Sequence, residues 1–251
     1  MKIMIITAYD GTNYCGSQIQ PDKPTIEGKL NEALSELTKA EVKVTGASRT
    51  DAGVHSYGNV YTFDTFSHIP VEKFPLALNT MVPPDIRVMS AKEVRDDFHP
   101  RHGVIDKTYE YHLDDGFIEI PTKRLYSYHV RHRLDIDKMN EAAKYLIGEH
   151  DFTSFCSAKT EKESKVRTIF DLNVKTAGEQ IYDNRDVIIT VRGNGFLYNM
   201  VRIIAGTLMN IGTGKTDPNE IIAILEKKDR AAAGPTLPPN GLFLMEIRYD
   251  I

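Results

Sequence analysis

The stretch Gly46-Ala47-Ser48-Arg49-Thr50-Asp51-Ala52-Gly53-Val54-His55 sets a cation, a carboxylate and an imidazole close together on the chain. The small residues around them permit tight turning and close approach of backbone to a ligand. A carboxylate on such a loop is equipped for acid–base or nucleophilic chemistry, and a nearby arginine for holding a phosphate. Read from the residues alone, the commoner use of such a stretch is a polar turn closed by an Asx-type bond from Asp51, with Arg49 in solvent.

Three other places carry chemistry-bearing residues. In Lys107-Thr108-Tyr109-Glu110-Tyr111 the two tyrosines share one face of a strand, suited either to stacking on a base or to filling a sheet core. Arg202 falls in the apolar run Phe196, Leu197, Met200, Val201, where an arginine either snorkels to solvent or pairs with an acid. Leu197 in the same run fits a plain core role or packing on a base. Lys123 to Arg133 offers basic residues, tyrosines and histidines without one acid, a composition that fits RNA phosphates and bases, or equally a solvated strand face. Lys159, Lys162, Lys165 and Arg167, diluted by Glu161 and Glu163, read as a surface loop within reach of RNA. The acidic pairs Asp96-Asp97 and Asp114-Asp115 do not suggest glycoside hydrolysis, because neighbouring acids on a strand face opposite ways.

These residues need elements to position them. Apolar and β-branched runs predict strands at 2–8, 57–66, 86–91, 107–113, 167–174, 187–192 and 243–249. Helical spacing predicts helices at 25–39, 71–79, 135–147, 196–211 and 217–228, with loops at 178–184 and 230–241. The order strand, helix, strand, strand, helix, strand occurs twice. The expected fold is therefore α+β: two ferredoxin-like units, 1–105 and 106–251, sharing an extended, mainly antiparallel sheet with helices packed on one side.

The 251 residues carry 31 Lys+Arg against 35 Asp+Glu, a net charge of −4, and dividing them near 105 leaves each part at −2. No basic tail exists, so an RNA-binding face has to be assembled by folding. Two distant cysteines, Cys15 and Cys156, predict neither a disulfide framework nor a zinc site. The absence of a long apolar run and of a signal-peptide layout at the start leads to the expectation of a soluble cytoplasmic protein without a membrane partner.

The run GASRTDAGVH resembles the signature of TruA-type tRNA pseudouridine synthases, and further matches follow in that family's order along nearly the whole chain. Tyr9-Asp10-Gly11-Thr12-Asn13-Tyr14 with Gln18 is similar to its opening Y-D-G-x-x-[FY]-x-G-x-Q. Asp97-Phe98-His99 with Arg101 resembles D-F-H-A-R, and Tyr109-Glu110-Tyr111 its Y-x-Y motif. Asp151 to Phe155 is similar to D-F-x-x-F, and Phe196-Leu197 with Met200-Val201-Arg202 to F-L-x-x-M-V-R. Ser17 stands where the family usually has Trp, Pro100 and His102 replace the residues usual beside Arg101, and Pro235 to Pro238 only approximates the family's approach to its last strand.

The resemblance implies an isomerase that breaks the N1–C1′ bond of a uridine, rotates the uracil and rejoins it through C5, with neither cofactor nor metal. It implies Asp51 as the catalytic carboxylate, acting as nucleophile or as base, and Tyr109, Arg49, Arg202 and Leu197 as substrate-binding residues. Asp51 is the partner it implies for Arg202. The substrate it implies is the tRNA anticodon stem-loop, at about positions 38 to 40, where an extruded base leaves its stack most readily. A homodimer is implied as well. The alternative is a non-catalytic RNA-binding module of duplicated ferredoxin-like fold, but the stacking pattern [KR]-G-[FY]-[GA]-[FY]-V-x-[FY] is missing from the sequence.

Overall fold

The computed structural model describes residues 1–157, 160 and 163–250. The chain divides into two compact units, Met1–Ile105 with the chain from Phe243 onward, and Asp106–Leu242. Both are α+β, with mainly antiparallel strand pairing.

In the first unit β1 (Lys2–Tyr9) lies between β3 (His55–Asp64) and β4 (Ile86–Val94), antiparallel to both. The other edge of β3 is shared by the short β2 (Thr45–Gly46) and by β10 (Leu242–Tyr249), which runs parallel to β3 at His55 and Ser56. Two helices, α1 (Ile26–Thr38) and α2 (Phe74–Leu78), belong to this unit. Period-two alternation sends Ile3 and Ile5 of β1 and Tyr61 and Phe63 of β3 to one face, where they meet Leu30 and Leu34 of α1 and Phe74 and Leu78 of α2 in one core. Helix α1 starts where Thr25 accepts the Gly28 N–H and stops at Lys39, which takes the left-handed conformation.

In the second unit the order is β5 (Val104–Asp115), β9 (Asn184–Gly193), β8 (Val166–Ile181) and β7 (Gly148–Asp151), all antiparallel, with the short β6 (Tyr128–Val130) parallel to the far end of β5. Tyr109, Tyr111 and Leu113 of β5 face Val191, Ile189 and Val187 of β9, and all six are buried. Helix α3 (Ile136–Lys144) packs on β8 and on α4 (Met200–Gly212), followed by α5 (Glu220–Lys227).

Several expectations are corrected. The division at 105 placed the last strand in the second unit, whereas its ladder to β3 places it in the first. The helix expected at 71–79 is a 3₁₀ turn over Val71–Lys73 followed by five α-helical residues. The helix expected from 196 starts at Met200, because Asn199 sits at φ 63° and breaks the backbone there. Part of the loop expected at 178–184 is strand: β8 runs to Ile181 and turns through Tyr182, at φ 54°, into β9. The short β2, β6 and β7 carry too few residues for a periodic signal.

Candidate active site

Asp51 lies half-buried on the turn between β2 and β3, with Arg49 exposed beside it and Ser48, Thr50 and Val54 buried. The Val54 N–H donates to the Asp51 carbonyl at 3.1 Å and closes the turn. A second loop, residues 10–18, presses against this one from within the same unit. The Gly53 N–H donates to Tyr14 O at 3.3 Å, and the Gly11 N–H to His55 Nδ1 at 3.1 Å. Contact this close demands glycine: a Cβ on Gly11 would lie 2.0 Å from the Val54 carbonyl oxygen.

Two residues absent from the sequence-based candidates sit beside this loop. The Arg101 Nε donates to Gly46 O at 2.9 Å. The Glu27 carboxylate, buried on the first turn of α1, accepts the Ile19 N–H at 3.2 Å. Burial pushes the Glu27 carboxyl up, against the Ile19 bond and the positive charges of Arg101 and Arg49. Glu27 is masked in the sequence by its place in a helical pattern, where an acid in the first turn needs no further explanation.

Tyr109, Leu197 and Arg202 belong to the second unit. Tyr109 is 7% exposed, and its ring meets Phe196 edge to face at 5.1 Å between centroids. Leu197, also buried, lies in the turn that enters α4, where its carbonyl accepts the Met200 N–H. So the fold brings Tyr109 to the turn that carries Leu197. Tyr111, on the same strand face, plays a supporting part: fully buried, it donates to Pro238 O at 2.7 Å. Burial pushes its hydroxyl well up, against a smaller opposing pull from Arg202. Arg202 is half-buried, and within its unit its Nε donates to Leu237 O at 2.7 Å and Nη1 to Asn199 Oδ1 at 2.9 Å. The Leu237 N–H returns a bond to Arg202 O at 3.3 Å, so helix α4 and the 235–238 segment are tied both ways.

The acid-free segment from Lys123 to Arg133 is less available than its composition suggests. Lys123 Nζ bonds Asp114 at 3.2 Å and Asp186 at 2.5 Å, and Arg133 bonds Asp115 at 3.2 Å and Asp183 at 3.0 Å. Strands β5 and β9 and the turn joining β8 to β9 supply the acids that the segment lacks. Arg124, Arg131, His132 and, with its ion pairs, Arg133 stay exposed, with the Arg131 guanidinium 5.4 Å from the centre of the Phe117 ring. Of the second basic cluster, Lys159 and Lys162 lie outside the described residues, as does Glu161. Among the described residues no group of His, Cys, Asp and Glu could hold a metal ion, and no helix is long and apolar enough to cross a membrane.

A family model described as tRNA pseudouridine synthase matches residues 5–102 and 142–250. The chain belongs to that family, and is thus an isomerase that forms pseudouridine in tRNA. Among its relatives, proteins named tRNA pseudouridine synthase A from Brevibacillus brevis and Bacillus pumilus are 46% and 47% identical, over 99% and 100% of both chains. A solved structure, a Cbf5-Nop10-Gar1 complex, matches at a TM-score of 0.33 and 12% identity over 82% of this chain and 54% of that one, too distant to bear on the fold. Membership in a family of synthases displaces the alternative of a non-catalytic RNA-binding module.

Proposed function

We propose that the chain isomerises uridines of the tRNA anticodon stem-loop, with Asp51 as the catalytic carboxylate and without a cofactor. In the reaction the N1–C1′ bond breaks, a C5–C1′ bond forms, and the C5 proton is replaced by one at N1, so atoms balance with no second substrate. The Asp51 carboxylate acts at the ribose or the base while the uracil is detached, and Arg49 on the same loop holds a phosphate or the space that the extruded base leaves. Tyr109 and Leu197 contact the uracil, and Arg202 binds the substrate from the start of α4. The observation that supports this reading is the setting of Asp51. Its loop is fixed by bonds from a neighbouring segment, and Asp51 itself is only half-buried.

Asp51→Asn keeps the shape and removes the charge. It is expected to abolish pseudouridine formation in an unmodified tRNA transcript, mapped by site, while the dissociation constant for tRNA changes less than about threefold. Turnover near the wild-type rate in this variant defeats the assignment. Modification mapped away from the anticodon stem-loop would defeat the substrate reading alone. The same reading takes the protein as a cytoplasmic homodimer, which light scattering at micromolar concentration tests.

A further inference from the structure

Beneath the Asp51 loop the first unit buries a cluster of hydrogen-bonded polar groups, two of them the hydroxyls of the core residues Tyr9 and Tyr61. Asn59, on the core-facing side of β3, is 0% exposed and spreads its amide over three oxygens: Ser48 O at 3.0 Å, Tyr9 Oη at 3.0 Å and Tyr61 Oη at 3.1 Å. Tyr9 Oη in turn lies 2.8 Å from Thr50 Oγ1. On the other side the Thr50 N–H donates to Ser17 Oγ at 2.9 Å, and the Ser17 N–H to Thr50 O at 3.0 Å. The residue just before Asp51 is therefore held at its amide, its carbonyl and its hydroxyl. The residue three before Asp51 is held at its carbonyl.

Burying these groups costs desolvation that apolar side chains would avoid, and hydrogen bonds return only part of it. What the bonds add is direction. They turn Ser48 and Thr50 inward, and Arg49 is thereby left on the outer side with Asp51 following at the rim. Burial also pushes the Tyr9 hydroxyl up, so it stays protonated and bonded across the working range of pH. A carboxylate reacting at one atom of an extruded nucleotide gains most of its effect from being held in place, and a displacement of about 1 Å costs about a hundredfold in rate.

We propose that Tyr9 and Asn59 are positioning residues for pseudouridine formation, acting through Thr50 and Ser48 to fix where the Asp51 carboxylate is presented. This inference rests on the reading of Asp51 as the catalytic group.

The test uses the full chain and unmodified tRNA transcript, measuring single-turnover rate at saturating enzyme, tRNA dissociation constant and melting temperature. Asn59 is so deeply bonded that its removal can prevent folding, so the gentle variants are Tyr9→Phe and Thr50→Val, which delete one hydroxyl each and keep the volume. Thr50→Ser restores the hydroxyl. Val88→Ala, in the core of the same unit and away from the loop, controls for lost stability. Tyr9→Phe and Thr50→Val should slow the chemical step by about tenfold or more, with tRNA affinity within about threefold. Thr50→Ser should recover most of the rate, and Val88→Ala should keep it despite a lower melting temperature. The proposal is overturned if Tyr9→Phe and Thr50→Val turn over within about twofold of wild type while Asp51→Asn is inactive. It is equally overturned if rate tracks melting temperature across all variants, Val88→Ala included. An active Asp51→Asn removes the underlying reading of Asp51, and the proposal with it.

Discussion

Gly16 sits at φ 97°, and a Cβ there would lie 2.7 Å from the Thr50 carbonyl oxygen. Gly214, at φ 76°, has nothing within 4 Å of the same position. The two glycines separate backbone strain from crowding. Gly214→Ala should cost only the positive φ, about 1 kcal/mol, and leave turnover unchanged. Gly16→Ala adds a collision with the carbonyl that Ser17 holds, so we expect a loss of about 2 kcal/mol or more together with a clear fall in the single-turnover rate. Urea unfolding and a single-turnover assay on the same two proteins check this. Equal stability losses would show that the 10–18 loop yields to the new methyl group. At this scale the closeness of Asp51 and Arg49 on one short loop is legible in the sequence, whereas the fold alone brings Tyr109 beside the turn of Leu197. Asn59 was not legible, since a lone amide in an apolar strand gives no sign of what it bonds.

Along β5 the neighbours Asp114 and Asp115 are both buried, and the alternation of the strand sends them to different partners. Asp114 meets Lys123 and accepts from Asn184 at 2.7 Å, whereas Asp115 takes Arg185 on both oxygens, at 3.1 and 2.5 Å, the Leu134 N–H at 2.9 Å, and Arg133. Burial alone would raise the Asp115 carboxyl, but the Arg185 bonds, the Leu134 N–H and the charge of Arg133 outweigh it and hold it below the usual carboxylate range. A carboxyl held below its unfolded value of about 3.9 contributes fully above that pH and loses its contribution as pH falls through the folded value. The protein should therefore lose stability steeply below about pH 4. Asp115→Asn should flatten that limb and lower stability at neutral pH by about 3 kcal/mol, because Arg185 and Arg133 lose their shared charge. Denaturant unfolding between pH 3 and 7 reads both effects, and an unchanged acid limb would exclude Asp115 as its source. The strand that presents Tyr109 thus ends in an ion-pair cluster that secures the segment following it, from Lys123 to Leu134.

With a net charge of −4, any tRNA surface must be local, and the second unit shows how the charges are apportioned. Arg131 and Arg133 are both exposed, but Arg133 is paired with Asp115 and Asp183, whereas Arg131 lies over the Phe117 ring. A phosphate contact releases counterions, so tRNA affinity should fall steeply with salt. Arg131→Ala should reduce the slope of log affinity against log salt by roughly 0.7 to 1, whereas Arg133→Ala should leave the slope nearly unchanged and lower the melting temperature. Titrations at four salt concentrations decide between them. A slope lowered equally by both changes would mean that Arg133 leaves its acids to meet RNA.

The sequence by itself determined the α+β class, most of the strands, the loop that carries Asp51 and the family, because period-two and helical patterns and a contiguous motif are local properties of the chain. It also suggested a basic stretch from Lys123 to Arg133 as an RNA contact, which the structure reduces. Only tertiary structure decided that Lys123 and Arg133 would be met by acids from β5, β9 and the turn before β9, since those acids lie up to 63 residues away along the chain. The same holds for β10, whose apolar run says strand but not partner: its pairing with β3 joins Phe243 to His55. And it holds for Asn59 and Tyr9, 50 residues apart, whose bond exists only because β1 and β3 lie side by side. Local pattern fixes which residues face inward, but a hydrogen bond or ion pair needs two specific atoms within about 3 Å, and that proximity is set by packing of the whole unit.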